Sequence, residues 1–172
     1  YRHTVNSAAG GDFFANVYAT SKALDHPDFR RELSHMWAQN GYAYSLIQFN
    51  NGLHGWHLSV EEYARLYEAA VAHIRWSQPD AHLVIALSTP VFLPHTTTPD
   101  PDKNEQVRRR NEAAAEIAAK YQASVNDLYT AMWDRPDLRL PDGYHYNEAG
   151  TVYQGETVAA CIRKLLSTKG CI

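Results

Sequence analysis

"YAYSLIQFNNGLHGWH", residues 42–57, changes character halfway along. Tyr42 to Phe49 is a short apolar run that stops at a polar turn. It is too short for a helix and is bounded as a buried strand is. Asn50-Asn51-Gly52 then turns the chain. "SVEEYARLYEAAVAHIRW" (59–76) follows, with Ser59 three residues before Glu62 in a capping-box pattern. Val60, Tyr63, Tyr67, Val71 and Ile74 recur there at helical spacing. Strand, polar turn and helix form a unit, and the unit recurs. "AHLVIALSTP" (81–90) is a second buried strand, and "VFLPHTTTPDPDKN" (91–104) is a Pro- and Thr-rich surface loop. "EQVRRRNEAAAEIAAKYQ" (105–122) is a helix with Val107, Ala114, Ile117 and Tyr121 on one side and Arg108 to Arg110 on a solvated face. "ASVNDLY" (123–129) is a third strand. A last helix runs from Asn147 or Glu148 to about Ser167, with Val152, Val158, Ile162 and Leu165 inward. Another helix precedes them all, at "DHPDFRRELSHMWAQN" (25–40).

Continuous apolar strands alternating with helices predict an α/β fold, a three-layer sandwich whose parallel, flavodoxin-like sheet is covered on both faces. In such sheets ligands gather at the carboxyl ends of the strands. The turn at Asn50 and the "STP" closing the second strand both have that address.

The 172 residues fit one domain, 1–172, long enough to bury a core. A composition of 45% hydrophobic and 20% charged residues is ordinary for a globular chain. The net charge of −3 argues against nucleic acid as a partner. No apolar run reaches the length of a membrane span, so no membrane partner is expected. Cys161, on the apolar side of the last helix, and Cys171, in the tail, read as buried or spare thiols, and the sequence leaves their pairing open.

Three segments can carry chemistry. In "PDGYHYNEAG" (141–150), Asp142 and His145 sit three apart in a turn before the last helix. A neutral His can take a proton from a hydroxyl, and a carboxylate can orient the ring. Taken alone, the pair also fits ordinary turn chemistry. In "QFNNGLHGW" (48–56), Asn50 can aim its amide at a ligand oxygen, and Asn51, His54 and Trp56 are candidate substrate contacts. Trp56 has the face to stack on a sugar ring. His54 and His57 lack a third ligand at suitable spacing, so no metal is expected. In "VNSAAGGDFF" (5–14), Gly11 can present a backbone N–H, or the segment is simply a turn.

In this order the segments resemble the sequence blocks of the SGNH, or GDSL-type, hydrolase family, over nearly the whole chain. "VNSAAGGD" is similar to the block that supplies a glycine N–H to the oxyanion hole, which puts Gly11 in that place. "QFNNGLHG" resembles the Gly-x-Asn-Asp block, with Asn50 as its Asn. Gln48 stands there where Gly is usual, and Asn51 where Asp is. The form "FNNGLHGW" looks like a branch associated with carbohydrate esters. "DGYHYNEAG" resembles the Asp-x-x-His block. The resemblance implies a serine esterase that deacetylates a carbohydrate ester, with His145 as general base and then acid. Asp142 would orient it, and Gly11 N–H and Asn50 Nδ2 would hold the oxyanion. No cofactor is implied.

The family's nucleophile belongs to a Gly-Asp-Ser segment on the first strand, and no Gly-Asp-Ser occurs in this chain. Gly11-Asp12-Phe13 has Phe in the third place. The nucleophile-bearing strand is therefore expected to lie outside this chain, on another segment or a second chain, leaving the domain N-terminally incomplete. Its absence would expose strand edges with unpaired N–H and C=O groups. Two other readings stay open. One is an inactive carbohydrate- or acyl-binding protein on the same scaffold. The other is a flavodoxin-like interaction domain, in which Asp142 and His145 would point apart.

Overall fold

The computed structural model describes residues 2–168, apart from the side chains of Arg2, Met36, Gln39 and Asn40. The chain divides into two compact units. One comprises Tyr1–Val17, Thr89–Asn104 and Asn126–Ile172; the other comprises Tyr18–Ser88 and Glu105–Val125.

The second unit is built on the sheet. β1 (Leu46–Phe49) and β2 (His82–Ala86) pair in parallel, with Leu46 opposite His82 and Phe49 opposite Ile85. β3 (Ser124–Asn126) completes three parallel strands in the order β1-β2-β3. β1 is thus an edge strand, and its Leu46, Ile47 and Gln48 are only half-buried. The helices are α2 (Phe29–Asn40), α3 (Val60–Ser77) and residues 105–120 of α4 (Pro101–Lys120). α3 starts where the capping pattern places it. The Ser59 side chain accepts from the Glu62 N–H, and the Glu62 carboxylate accepts from the Ser59 N–H. Of its predicted stripe, Tyr63, Tyr67, Val71 and Ile74 are buried with Phe49, Leu83 and Ile85 of the sheet and Ala114, Ile117 and Ala118 of α4, while Val60 at the first turn is only half-buried. Each large apolar side chain so buried contributes about 1.5–3 kcal/mol. The alternation along β2 places Leu83 and Ile85 on this side.

The first unit holds α1 (Arg2–Ala9), α5 (Leu128–Trp133), a single 3-10 turn at Pro136–Leu138, and α6 (Glu148–Thr168). α1 lies against α6, where the Thr4 hydroxyl donates to the Thr151 carbonyl at 2.9 Å. A Cβ at Gly155 would stand 1.9 Å from Thr4 Oγ1, so the two helices close only because Gly155 has none.

Several elements differ from the sequence expectation. Residues 5–9 form the end of α1 rather than a loop, and Gly10, at φ +62°, stops that helix in the left-handed conformation. α4 begins at Pro101, earlier than its apolar stripe suggested, because proline suits the first helical turn and the Asp100 carboxylate accepts the Lys103 N–H at 3.0 Å. The third strand ends at Asn126, and Asp127 then caps α5 by accepting the Thr130 N–H at 2.9 Å. On α6 the inward stripe runs through Gln154, Val158, Ile162 and Leu166. Val152 is exposed and Leu165 only half-buried, since both sit off that i, i+4 line. Cys161 is half-buried and burial raises its thiol pKa; Cys171 lies outside the described residues. Among the described residues no helix is long and apolar enough to cross a membrane.

Candidate active site

Asp142 and His145 occupy the tip of a tight hairpin in the first unit. Arg139 and Tyr146 form an antiparallel bridge at its base. The Leu140 N–H donates to the His145 carbonyl at 2.8 Å, and the Gly143 N–H donates to the Leu140 carbonyl at 3.1 Å. Gly143 is obligatory here. Its φ is +78°, and a Cβ would stand 2.0 Å from the Phe92 carbonyl oxygen. The Gly143 carbonyl in turn accepts the Phe92 N–H at 3.0 Å, and the Pro141 carbonyl accepts the His95 N–H at 2.7 Å. The segment Phe92–Pro99, closed by its own antiparallel bridge, therefore braces the tip. An open cleft of about 620 Å³ lies here, lined by His95, Thr96, Thr98, Arg139, Pro141 and Gly143 among others.

Within the tip the carboxylate is heavily engaged. Asp142 Oδ1 accepts the His145 and Tyr144 backbone N–H groups, each at 2.8 Å, and Oδ2 lies 2.8 Å from His145 Nδ1. The His145 backbone N–H, the His145 ring and the Tyr144 N–H together hold the Asp142 carboxyl at about 2. An ionised carboxylate only accepts, so Nδ1 is the donor, and a neutral ring keeps its lone pair on Nε2. The side chain of His145 is 78% exposed, so that nitrogen is open to a substrate hydroxyl. The pair does not point apart.

Arg139 sits behind the tip. It donates through Nη1 to the Gly143 carbonyl at 3.1 Å and through Nη2 to the Tyr146 hydroxyl. Its guanidinium lies 4.5 Å from the centroid of the Phe92 ring and 4.5 Å from that of Tyr146.

Asn50 belongs to the second unit, at the carboxyl end of β1. Its Oδ1 accepts the Gly52 N–H and its Nδ2 donates to the Ala86 carbonyl. An amide nitrogen carries two protons, so one remains for a ligand oxygen, and the first two contacts fix where it points. Asn51 is turned inward rather than toward a ligand. It is buried, and its Nδ2 donates to the Lys22 carbonyl at 3.3 Å. His54 and Trp56 are half-buried. The His54 carbonyl accepts from Arg110 at 3.3 Å, and the Trp56 ring faces the Arg110 guanidinium at 5.7 Å. His57 Nε2 lies 2.8 Å from Asp25 Oδ2.

Arg110 corrects the expectation of a solvated face. It is 3% exposed. Its Nη2 donates to the Gly55 carbonyl at 2.6 Å and the Leu58 carbonyl at 2.9 Å, and Tyr63 lies 4.6 Å beneath it. A helical charge run conceals such a residue, because its carbonyl partners are distant in sequence and carry no sequence signal. Arg139 was missed although its partners, the Gly143 carbonyl and the Tyr146 hydroxyl, are near in sequence, because neither group marks itself as an arginine acceptor.

Gly11 is also corrected. It follows the end of α1 and sits beside Arg163, which donates to the Ala8 carbonyl at 2.9 Å and to the Asp12 carboxylate at 2.6 Å. Arg163 is four turns along α6, so Gly11 stands roughly 20 Å from the mouth of that helix, where His145 lies. The segment that meets the Asn50 turn is instead Thr20–Leu24. Lys22 receives Asn51, and a Cβ at Gly55 would lie 3.1 Å from Ala23 Cβ. Lys22 is tied to Glu32 at 2.9 Å, which holds that carboxyl down to about 2.

Among the described residues no group of three or more His, Cys, Asp or Glu is placed to hold a metal ion. A family model described as GDSL-like lipase/acylhydrolase matches residues 8–151. A search of curated proteins returned no match. Among solved structures, the chain is similar to an inhibitor-bound aryl esterase of M. smegmatis, at TM-score 0.67 and 15% identity over 95% of this chain and 84% of that one. It is similar to a carbohydrate esterase family 3 protein of Talaromyces cellulolyticus, at TM-score 0.65 and 13% identity over 96% and 88%. A peptidoglycan O-acetylesterase matches at TM-score 0.59 and 19% identity over 83% of this chain, which spans 42% of that protein's length. At these identities the likeness is one of fold.

Proposed function

The chain belongs to the GDSL-like lipase/acylhydrolase family, and on that premise we propose that it is a serine ester hydrolase that deacetylates a carbohydrate, with its nucleophilic Ser outside these 172 residues. The observation that carries the reading is the Asp142–His145 contact of 2.8 Å, locked by two backbone N–H groups on the same carboxylate. That arrangement gives His145 one defined tautomer and one open nitrogen, as a general base needs.

In this reading the Ser hydroxyl attacks the ester carbonyl while its proton passes to His145 Nε2. The carbonyl oxygen takes the negative charge and is held by the remaining Asn50 Nδ2 proton, a donor worth about 3 kcal/mol in the transition state. His145 then protonates the departing sugar oxygen, leaving the acyl group on Ser. Water attacks that ester with His145 again as base, the bond to the Ser oxygen breaks as His145 returns the proton to it, and acetic acid is released. In this reading the second oxyanion donor is a backbone N–H of the Thr20–Leu24 segment other than that of Lys22, which is donated to Thr20 Oγ1 at 3.2 Å. The open edge of β1 is the seat for the parallel strand that brings the Ser. This chemistry calls on no cofactor. Two neighbours named as a peptidoglycan O-acetylesterase and a carbohydrate esterase, and the half-buried Trp56 in the segment that follows Asn50, favour the carbohydrate ester.

The absence of Gly-Asp-Ser from the 172 residues favours a second reading, a non-catalytic binder of acylated carbohydrate. Hydrolysis of p-nitrophenyl acetate and of acetylated xylan separates the two. It is measured for this chain alone and for the chain with whatever residues precede Tyr1 in its reading frame. Turnover in the longer form, abolished by His145→Ala, is the expected outcome. Binding of acetylated oligosaccharide by both forms without turnover would establish the second reading.

A further inference from the structure

We propose that Arg139 is the positioning residue of the Asp142–His145 couple, gripping the tip at Gly143 and Tyr146, which flank His145 in sequence, so that the ring and the carboxylate stay in register. This rests on the couple being the acid–base machinery.

The couple needs such a grip because it has little burial of its own. The side chains are 46% and 78% exposed, and so exposed a pair holds its own geometry only weakly. Arg139 reaches past it in two directions. Nη1 binds the carbonyl of Gly143, between Asp142 and His145 in sequence, and Nη2 binds the hydroxyl of Tyr146, the residue after His145. The Gly143 carbonyl thereby accepts both Arg139 and the Phe92 N–H at 3.0 Å. The guanidinium plane cannot swing, since Phe92 and Tyr146 lie at 4.5 Å each. Tyr146 is itself tied to Thr89 and Gln154. Among the described residues Arg139 Nε is buried without a partner. An unpaired buried donor is costly, and the two Nη contacts must outweigh that cost. A lysine could supply the charge but not two diverging donors in one plane.

The test follows the Asp142 carboxyl by 13C NMR titration in this chain, comparing Arg139→Lys, Arg139→Met and Tyr146→Phe. Asp142 sits near 2 because the Tyr144 and His145 groups converge on it, so its titration reports the register of the tip. Arg139→Lys keeps the charge and loses the fork. It is expected to raise the Asp142 midpoint by about one pH unit or more, toward the ordinary value near 3.9. Arg139→Met should do at least as much. Tyr146→Phe, which removes one hydroxyl, should give a smaller shift of the same sign, and it serves if the arginine variants fail to fold. A residue that only fills space would lower the melting temperature and leave this titration alone. An unmoved Asp142 midpoint in the folded variants overturns the proposal. A moved midpoint, together with no ester turnover in the longer form, would retain the positioning role and sink the esterase reading instead.

Discussion

The Asn50 turn and the Asp142–His145 tip are held by the same kind of clamp and present very different surfaces. Arg110 grips the first through the carbonyls of His54, Gly55 and Leu58, with its face on Tyr63 and Trp56. Arg139 grips the second through Gly143 and Tyr146, with its face on Phe92 and Tyr146. Behind Arg110 lies the aromatic core of α3, and Asn50 itself is half-buried with both of its polar atoms engaged. The imidazole at the other tip is largely open to solvent. On the proposed esterase reading, the difference matches the work of each arm. A dipole that stabilises developing charge acts best when fixed beforehand and shielded from water. A base that exchanges protons with substrate and then with water must be reachable.

The largest test of that contrast removes the fixed dipole. On the esterase reading, Asn50→Ala is expected to lower kcat by about two to three orders of magnitude with KM little changed. A silent change would mean that the Asn50 amide is only a strut for Gly52 and Ala86. The next test compares the two turn glycines by urea denaturation. Gly143→Ala drives a Cβ into the Phe92 carbonyl oxygen at 2.0 Å, whereas at Gly52 the nearest atom to an added Cβ is Asn50 Oδ1 at 3.5 Å. Both positions have positive φ, so each substitution carries about 1 kcal/mol of backbone strain, and Gly143→Ala is expected to cost about 3 kcal/mol or more in all. Equal losses would show that the tip can relax where the structure has it braced. The smallest effect belongs to Gly11→Ala. An added Cβ there meets nothing within 4 Å, and φ is +96°. Stability should fall by about 1 kcal/mol while ester turnover stays unchanged. A loss of turnover would restore Gly11 to the oxyanion hole and break the assignment to Thr20–Leu24.

Much of the fold was legible because its signals are local. The apolar runs at Leu46 and Leu83 and the stripe on α3 need only a few neighbouring residues to declare themselves. The Asp142–His145 contact spans three residues and was legible for the same reason. Segments that switch state through a single side chain were harder. Asp127 ends a strand and caps a helix at one position, and the apolar residues on either side suit both states. "VNSAAGG" reads as a glycine-rich loop until α6 gives Val5 and Ala9 something to pack on.

The amino-acid sequence alone determined the parallel α/β plan, the capped start of α3, the Asn50 turn after a strand, and the carboxylate–imidazole pair before the last helix. Each depends on hydrophobic period or on hydrogen bonds that close within a few residues. Only the tertiary structure decided that Gly11 belongs with Arg163, that Asn51 faces Lys22, that Arg110 is a buried clamp and that Arg139 is a half-buried one. Those facts rest on single donors meeting carbonyls that every residue carries, so nothing in the sequence marks the partner until the chain has folded around it.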